Sequence, residues 1–143
     1  MVYKEEVRDL FSVSGYHLTH CISDDYALGA GIAVQFNRRF DMRRKLFSIR
    51  PQSPCFADTN GHCILIDGVF NLVTKNKCLQ KPTYATLTNA LVDMKRQCIE
   101  NDVKQIAMPL IGCGLDRLEW NDVSTIIRDV FDDTDIEVLI CKQ

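Results

Sequence analysis

Apolar residues fall along this chain in two rhythms. Runs in which they follow one another occupy 16–22, 63–67, 69–74, 104–108 and 136–141. Consecutive apolar positions suit strands of a sheet covered on both faces. Asp67-Gly68, between the second and third runs, is a tight-turn pair and predicts a hairpin. Elsewhere the apolar positions step by three and four. Tyr84, Leu87, Leu91, Met94 and Cys98 form one helical stripe over 83–101, with Pro82 and Thr83 as start signals. Val123, Ile126, Ile127, Val130 and Phe131 form a second over 121–132, with Asn121 as the expected cap. Ile32, Ala33, Phe36 and Phe40 form a third that begins near Gly31. Strands alternating with helices predict an α/β fold, a three-layer α/β/α domain with a central mixed sheet. The stretch 49–60, with Pro51 and Pro54, reads as a loop within one domain spanning 1–143.

Composition narrows the function classes. A chain of 143 residues buries a core without staples, removing roughly two-thirds of its unfolded surface. Lys and Arg total 17 against 19 Asp and Glu, which gives no broad electrostatic footprint for nucleic acid or an anionic membrane. The local exception is Arg38, Arg39, Arg43, Arg44 and Lys45, read as a solvated face, with a polyanion such as DNA as the alternative partner. The seven cysteines are odd in number and include no C-x-x-C pair, so a reducing compartment with no disulfide framework and no zinc site is expected. No apolar run approaches the roughly 20 residues of a membrane helix, and the first residues show no secretory pattern. The expectation is an intracellular monomer, nuclear or cytosolic, without a membrane partner.

Two glycine-bearing segments lead from a predicted strand towards a helix. They are Leu28-Gly29-Ala30-Gly31-Ile32-Ala33 and Ile111-Gly112-Cys113-Gly114-Leu115-Asp116. Successive backbone N–H groups in such loops make a concave anion site, and two side by side can grip a pyrophosphate. Neither is a dinucleotide or Walker fingerprint: Val34 stands where the third glycine would fall, and the second segment lacks Lys-Ser/Thr.

The surrounding residues carry a resemblance. His20-Cys21-Ile22-Ser23-Asp24-Asp25 followed by Gly29-Ala30-Gly31-Ile32-Ala33, then Lys81-Pro82-Thr83-Tyr84, then Met108-Pro109-Leu110 through Gly112-Cys113-Gly114-Leu115-Asp116-Arg117-Leu118-Glu119-Trp120, are similar to the macrodomain family. Within it they resemble the branch that hydrolyses ADP-ribosyl esters. The resemblance implies a macrodomain fold and a cleft for ADP-ribose and O-acetyl-ADP-ribose. It further implies removal of mono-ADP-ribose from glutamate or aspartate of modified proteins, without metal or cofactor. ADP-ribosylated DNA is an alternative substrate, and a reader that binds without cleaving is an alternative function. By the same resemblance Asp9, with Leu10, meets the adenine. Gly29, Ala30, Gly31, Ile32 and Ala33 line the pyrophosphate and distal ribose. Ile111, Gly112, Cys113, Gly114 and Leu115 form the second phosphate loop, Ser23 and Thr83 lie close to the substrate, and Lys81 and Asp116 hold the catalytic positions. Two departures stand out: Arg8 occupies the place of the usual glycine before the aspartate, and His20-Cys21-Ile22-Ser23 replaces the asparagine-rich motif of another hydrolytic class.

The implied chemistry pairs a lysine nucleophile with an aspartate that takes and returns protons. Lys81 precedes a predicted helix, whose positive end, with burial in the cleft, favours a free amine. Without the resemblance, Lys81 reads as a surface lysine, Asp116 as a turn residue and Asp9 as a loop acid. His20 reads as a packed core histidine, Cys113 as a small packing residue and Trp120 as the anchor of the last helix.

Overall fold

The computed structural model describes residues 1–143. Six strands, β1 (Val2–Val7), β2 (His17–Ser23), β3 (His62–Ile66), β4 (Val69–Lys75), β5 (Gln105–Met108) and β6 (Glu137–Lys142), form one sheet in the order β1-β6-β5-β2-β4-β3. All neighbours run parallel except β3 and β4, which are joined through Asp67-Gly68 as an antiparallel hairpin. The sheet is mixed, as the alternation of elements predicts.

The alternation of side chains sorts the strands into two cores. In β6, Val138 and Ile140 face one layer while Leu139 and Cys141 face the other. The first layer holds α4 (Tyr84–Glu100) and α5 (Trp120–Phe131), whose Leu87, Leu91, Met94, Val123, Ile127 and Phe131 are buried against Phe70, Leu72 and Ile106. The second holds α1 (Ile32–Phe40) and α2 (Met42–Ser48), which bury Phe36, Met42 and Leu46 on Val69, Val73 and Ile22. Truncating one of these, as in Leu91→Ala, costs roughly 2–5 kcal/mol. The result is an α/β/α sandwich.

Local chemistry starts and stops the helices. The Thr83 hydroxyl accepts from the Thr86 amide at 3.1 Å while the Thr86 hydroxyl accepts from the Thr83 amide at 3.0 Å, a reciprocal box that opens α4. Asp41, with φ 51°, breaks the chain between α1 and α2, and the Asn37 side chain accepts from the Arg43 amide to start the second. In the buried layer, the His20 ring lies 3.9 Å from that of Phe36 and 2.6 Å from the Asn71 side-chain oxygen. Asn71 donates its amide to the Ile64 carbonyl, so its oxygen is the acceptor and His20 carries its proton on Nε2. His20 is a packed core residue, and burial pushes its pKa down to about 4.

The N-terminal segment, for which the spacing predicts no element, forms β1 at the sheet edge beside β6. Two expectations are corrected. Helix α5 begins at Trp120, one residue before Asn121, and Glu119 stands at its cap without a side-chain bond. Stretch 49–60 contains a 3-10 turn at Arg50–Gln52 and α3 (Phe56–Thr59). The segment after Asp41, for which the spacing predicts no stripe, is the helix α2. No helix is long and apolar enough to cross a membrane.

Candidate active site

The helix after β2 packs on one face of the sheet, and the helix after β5 packs on the other. Adjacent strands whose connections leave in opposite directions create a crevice at their carboxyl ends. Here only His17 and Leu18 of β2 pair with β5, opposite Ile106 and Ala107. Beyond them β2 runs on alongside β4, β5 runs on alongside β6, and a cleft of about 710 Å³ lies over the end of the sheet.

Both glycine loops wall this cleft. In the first, Gly31 adopts φ 61° and ψ −148°, a region essentially confined to glycine, and it opens α1 with no side chain over the free amides. Asp25 braces this loop. Its carboxylate accepts from the Ser23 hydroxyl at 2.5 Å and from the amides of Ala27 and, across the cleft mouth, Cys78 at 3.2 and 2.9 Å. Burial opposes its ionisation, but these donated bonds outweigh it and hold the carboxyl below its usual value. In the second loop Gly112 has φ 73°, and the Leu118 amide donates back to its carbonyl at 2.7 Å. A Cβ on Gly112 would stand 3.0 Å from the Leu118 side chain, which would have to give way, and the positive φ is itself strained for any larger residue.

Of the expected site residues, Leu10, Ser23, Gly29, Ala30, Gly31, Ile32, Ala33, Lys81, Ile111, Gly112, Cys113, Gly114, Leu115 and Asp116 line the cleft. Asp9 and Thr83 do not. The Asp9 carboxylate caps a 3-10 turn by accepting from the Phe11 amide at 3.0 Å, and Thr83 is engaged at the start of α4. Cys113 lines the cleft as a thiol pushed up to about 11 by burial and then by Glu119, which removes it as a nucleophile near neutrality. The indole of Trp120 donates to Glu5 at 3.2 Å and ties α5 to β1.

Both expected catalytic residues line the cleft, but they are not bonded to each other. Asp116 does not meet Lys81. Its carboxylate accepts from the Nζ of Lys75 at 2.7 Å, and both side chains are 15% exposed. Lys81 is exposed, stands two residues ahead of the α4 cap, and donates to the Leu115 carbonyl at 2.7 Å. The burial in the cleft expected of Lys81 is found instead at Lys75, beside Asp116. Lys75 ends a strand whose six preceding residues are all buried. It is brought to the cleft by a bulge, since Ile22 of β2 pairs with Val73 but Ser23 pairs with Lys75. The available signal in the sequence was a charged residue at the carboxyl end of an apolar strand. No group of three or more His, Cys, Asp or Glu is placed to hold a metal ion.

The Macro domain family profile matches residues 23–127. The chain is 42% identical over 125 residues to human ADP-ribose glycohydrolase OARD1, covering 86% of this chain and 79% of that protein. Among solved structures, the macrodomain of Thermus aquaticus DarG superposes with a TM-score of 0.84 at 21% identity, covering 99% of both chains. Thermosipho africanus DarTG, solved in complex with ADP-ribose, superposes with a TM-score of 0.70 at 18% identity, over 88% of this chain and 37% of its own. With its sheet order, its two glycine loops and this profile match, the chain belongs to the macrodomain family.

Proposed function

We propose that this macrodomain is an ADP-ribose hydrolase that frees mono-ADP-ribose from glutamate and aspartate side chains and deacetylates O-acetyl-ADP-ribose. The observation that carries the reading is the Lys75–Asp116 pair inside the cleft. It is supported by the 42% identity to a protein named an ADP-ribose glycohydrolase. The cleft volume falls within the roughly 300–1,000 Å³ usual for small-molecule sites. The pyrophosphate lies between the Gly29–Ala33 and Ile111–Leu115 amides, with the N-terminus of α1 behind it. The distal ribose then lies against Lys75 and Asp116.

Lys75 takes the nucleophilic role that the family resemblance implied for Lys81. Its amine must shed a proton before attack, and Asp116 is an acceptor at hydrogen-bond distance. With an ADP-ribosyl ester, the Lys75 nitrogen bonds to the anomeric carbon as the carboxylate leaves with the C–O electron pair. Asp116, protonated by the amine before attack, gives that proton to the ring oxygen as the ring opens to an imine, and takes in its place the proton that the substituted nitrogen sheds. Water adds to the imine carbon, Asp116 returns a proton to nitrogen, and the C–N bond breaks to release ADP-ribose. In O-acetyl-ADP-ribose the ester sits on a ribose hydroxyl. Asp116 is then the base for the water that attacks the acetyl carbonyl, and the ribose oxygen is reprotonated as acetate leaves. Neither route calls on a metal or redox cofactor. The chain acts as a single intracellular domain and a monomer, in the nucleus or the cytosol.

A second reading, ADP-ribosylated nucleic acid as substrate, has one observation in its favour. Arg38, Arg39 and Arg43 have no carboxylate partner, and α1, which carries the first two, starts in the cleft. Release of ADP-ribose from glutamyl-mono-ADP-ribosylated protein and of acetate from O-acetyl-ADP-ribose tests the main reading. Tight ADP-ribose binding with no release of either product would make the chain a reader.

A further inference from the structure

Three ties join the loop between β4 and α4 to the loop between β5 and α5. The Lys75–Asp116 pair lies within the cleft. Lys81 donates to the Leu115 carbonyl at the rim. The Tyr84 hydroxyl accepts from the Glu119 amide at 3.0 Å and donates to Asp122 at 3.3 Å, at the far end of the second loop. The first tie cannot survive catalysis as proposed, because Lys75 must leave Asp116 to bond the ribose carbon. At that moment Asp116 loses its partner, yet must stay in place to receive and return the proton. The tie at Tyr84 joins residues 119 and 122, outside the 111–117 turn. The Lys81 bond falls on the carbonyl of the peptide that leads directly into Asp116.

We propose that Lys81 is a positioning residue, a clasp that holds the Leu115-Asp116 peptide against the β4–α4 loop while the Lys75–Asp116 pair is open. This rests on the reading of Lys75 and Asp116 given above. Lys81 takes no part in bond making. An ammonium group has three donors, and one suffices for the carbonyl, so the clasp asks nothing of the ligand. An exposed bond of this kind adds little to global stability. Its effect falls on the order of one loop and on the alignment of one carboxylate.

The test compares Lys81→Met and Lys81→Arg with wild type and Lys75→Ala. Three quantities are read: the single-turnover rate on a saturating ADP-ribosyl ester, the ADP-ribose dissociation constant, and amide hydrogen exchange of residues 112–117 with ADP-ribose bound. The expected result for Lys81→Met is a chemical step slowed about ten- to a hundredfold, the size of a small misplacement of a catalytic group. Affinity stays within about threefold, exchange in 112–117 rises by about tenfold, and the thermal midpoint stays within about 3 °C. Lys81→Arg, which can still donate to the carbonyl, recovers most of the rate. Unchanged exchange in Lys81→Met overturns the clasp, and so does an unchanged single-turnover rate. A Lys81→Met enzyme as inactive as Lys75→Ala, with no recovery in Lys81→Arg, also overturns it and makes Lys81 the reacting amine. If wild type turns over no ester, the catalytic reading fails, and the exchange measurement alone still decides whether Lys81 fixes the loop.

Discussion

Lys75 ends β4 and Asp116 lies in the loop after β5, and the two meet at 2.7 Å across the end of β2, which lies between those strands in the sheet. Each is a poor tenant of a half-buried cleft without the other. Lys75→Ala and Asp116→Ala are each expected to lower turnover by about 10³-fold or more while ADP-ribose still binds, since the glycine loops proposed to grip the phosphates are untouched. The single variants lose roughly 1–3 kcal/mol of stability through the orphaned partner. The double variant Lys75→Met/Asp116→Leu regains stability and remains inactive. Denaturant titration beside the ADP-ribose release assay checks both halves, and a double variant that regains activity would remove the pair from the chemistry.

Gly31 should tolerate no side chain without cost to binding. Its φ of 61° with ψ −148° is strained for any residue with a Cβ, by about 1–3 kcal/mol. The strain sits in the loop that opens α1, next to Ile32 and Ala33. Gly31→Ala is expected to weaken ADP-ribose binding about tenfold or more with only a modest fall in melting temperature. Calorimetric titration of ADP-ribose against wild type and variant measures this, and equal affinities would take the Gly31 turn out of the phosphate site.

The seven cysteines should divide by reactivity. Cys55 and Cys78 are exposed, while Cys113 is pushed up to about 11 and Cys21 to about 12, in both cases chiefly by burial. At pH 7.5 iodoacetamide is expected to label Cys55 and Cys78 first, and Cys113→Ala to keep near-full turnover. Mass mapping of labelled peptides over time gives the order. Early labelling of Cys113, with loss of activity in Cys113→Ala, would restore it as a nucleophile.

His20 sets a pH dependence of stability. Its pKa is about 4 in the fold against an ordinary 6.5, because burial disfavours the charged ring. Above 6.5 both folded and unfolded chains hold it neutral and its stabilising contribution is complete. As pH falls from 6.5 towards 4 the unfolded chain takes up the proton and the folded one does not, so stability drops, by an amount on the order of 3 kcal/mol. Below about 4 this loss levels off. His62, also lowered by burial, acts in the same direction. The melting temperature should therefore fall between pH 7 and pH 5, and His20→Gln should show a shallower slope over that range even if it melts lower throughout. Parallel slopes would remove His20 as the source.

The sandwich was legible because its strongest signals are local. The stripe from Leu87 to Cys98, the Asp67-Gly68 turn and the runs of β4 and β6 each follow from spacing alone. Strand β1 was not legible. It reads Val-Tyr-Lys-Glu-Glu-Val, its side chains are mostly exposed, and only its pairing with β6 makes it a strand. Helix α2 buries Met42 and Leu46 alone, too few for a stripe. At the site, the glycine loops were legible and the Lys75–Asp116 contact was not. Lys81 stands in a distinctive Lys-Pro-Thr-Tyr run, but that run builds a helix start: Pro82 is buried, Thr83 caps, and Tyr84 ties down the α5 entry. Lys75 follows an apolar strand as an ordinary boundary charge, and only the strand order reveals Asp116, 41 residues further on, as its partner.

The bulge in β4 makes counting along that strand part of the chemistry. Thr74 is the supernumerary residue, inserted where β2 advances by one and β4 by two. Side chains on a strand alternate between faces, so deleting Thr74 would bring Lys75 into the frame of its predecessor and turn the amine to the opposite side of the sheet, away from Asp116. A single missing codon, with Lys75 and Asp116 both still in the chain, would part the carboxylate from its amine. The strand's length therefore carries information that no inventory of side chains contains.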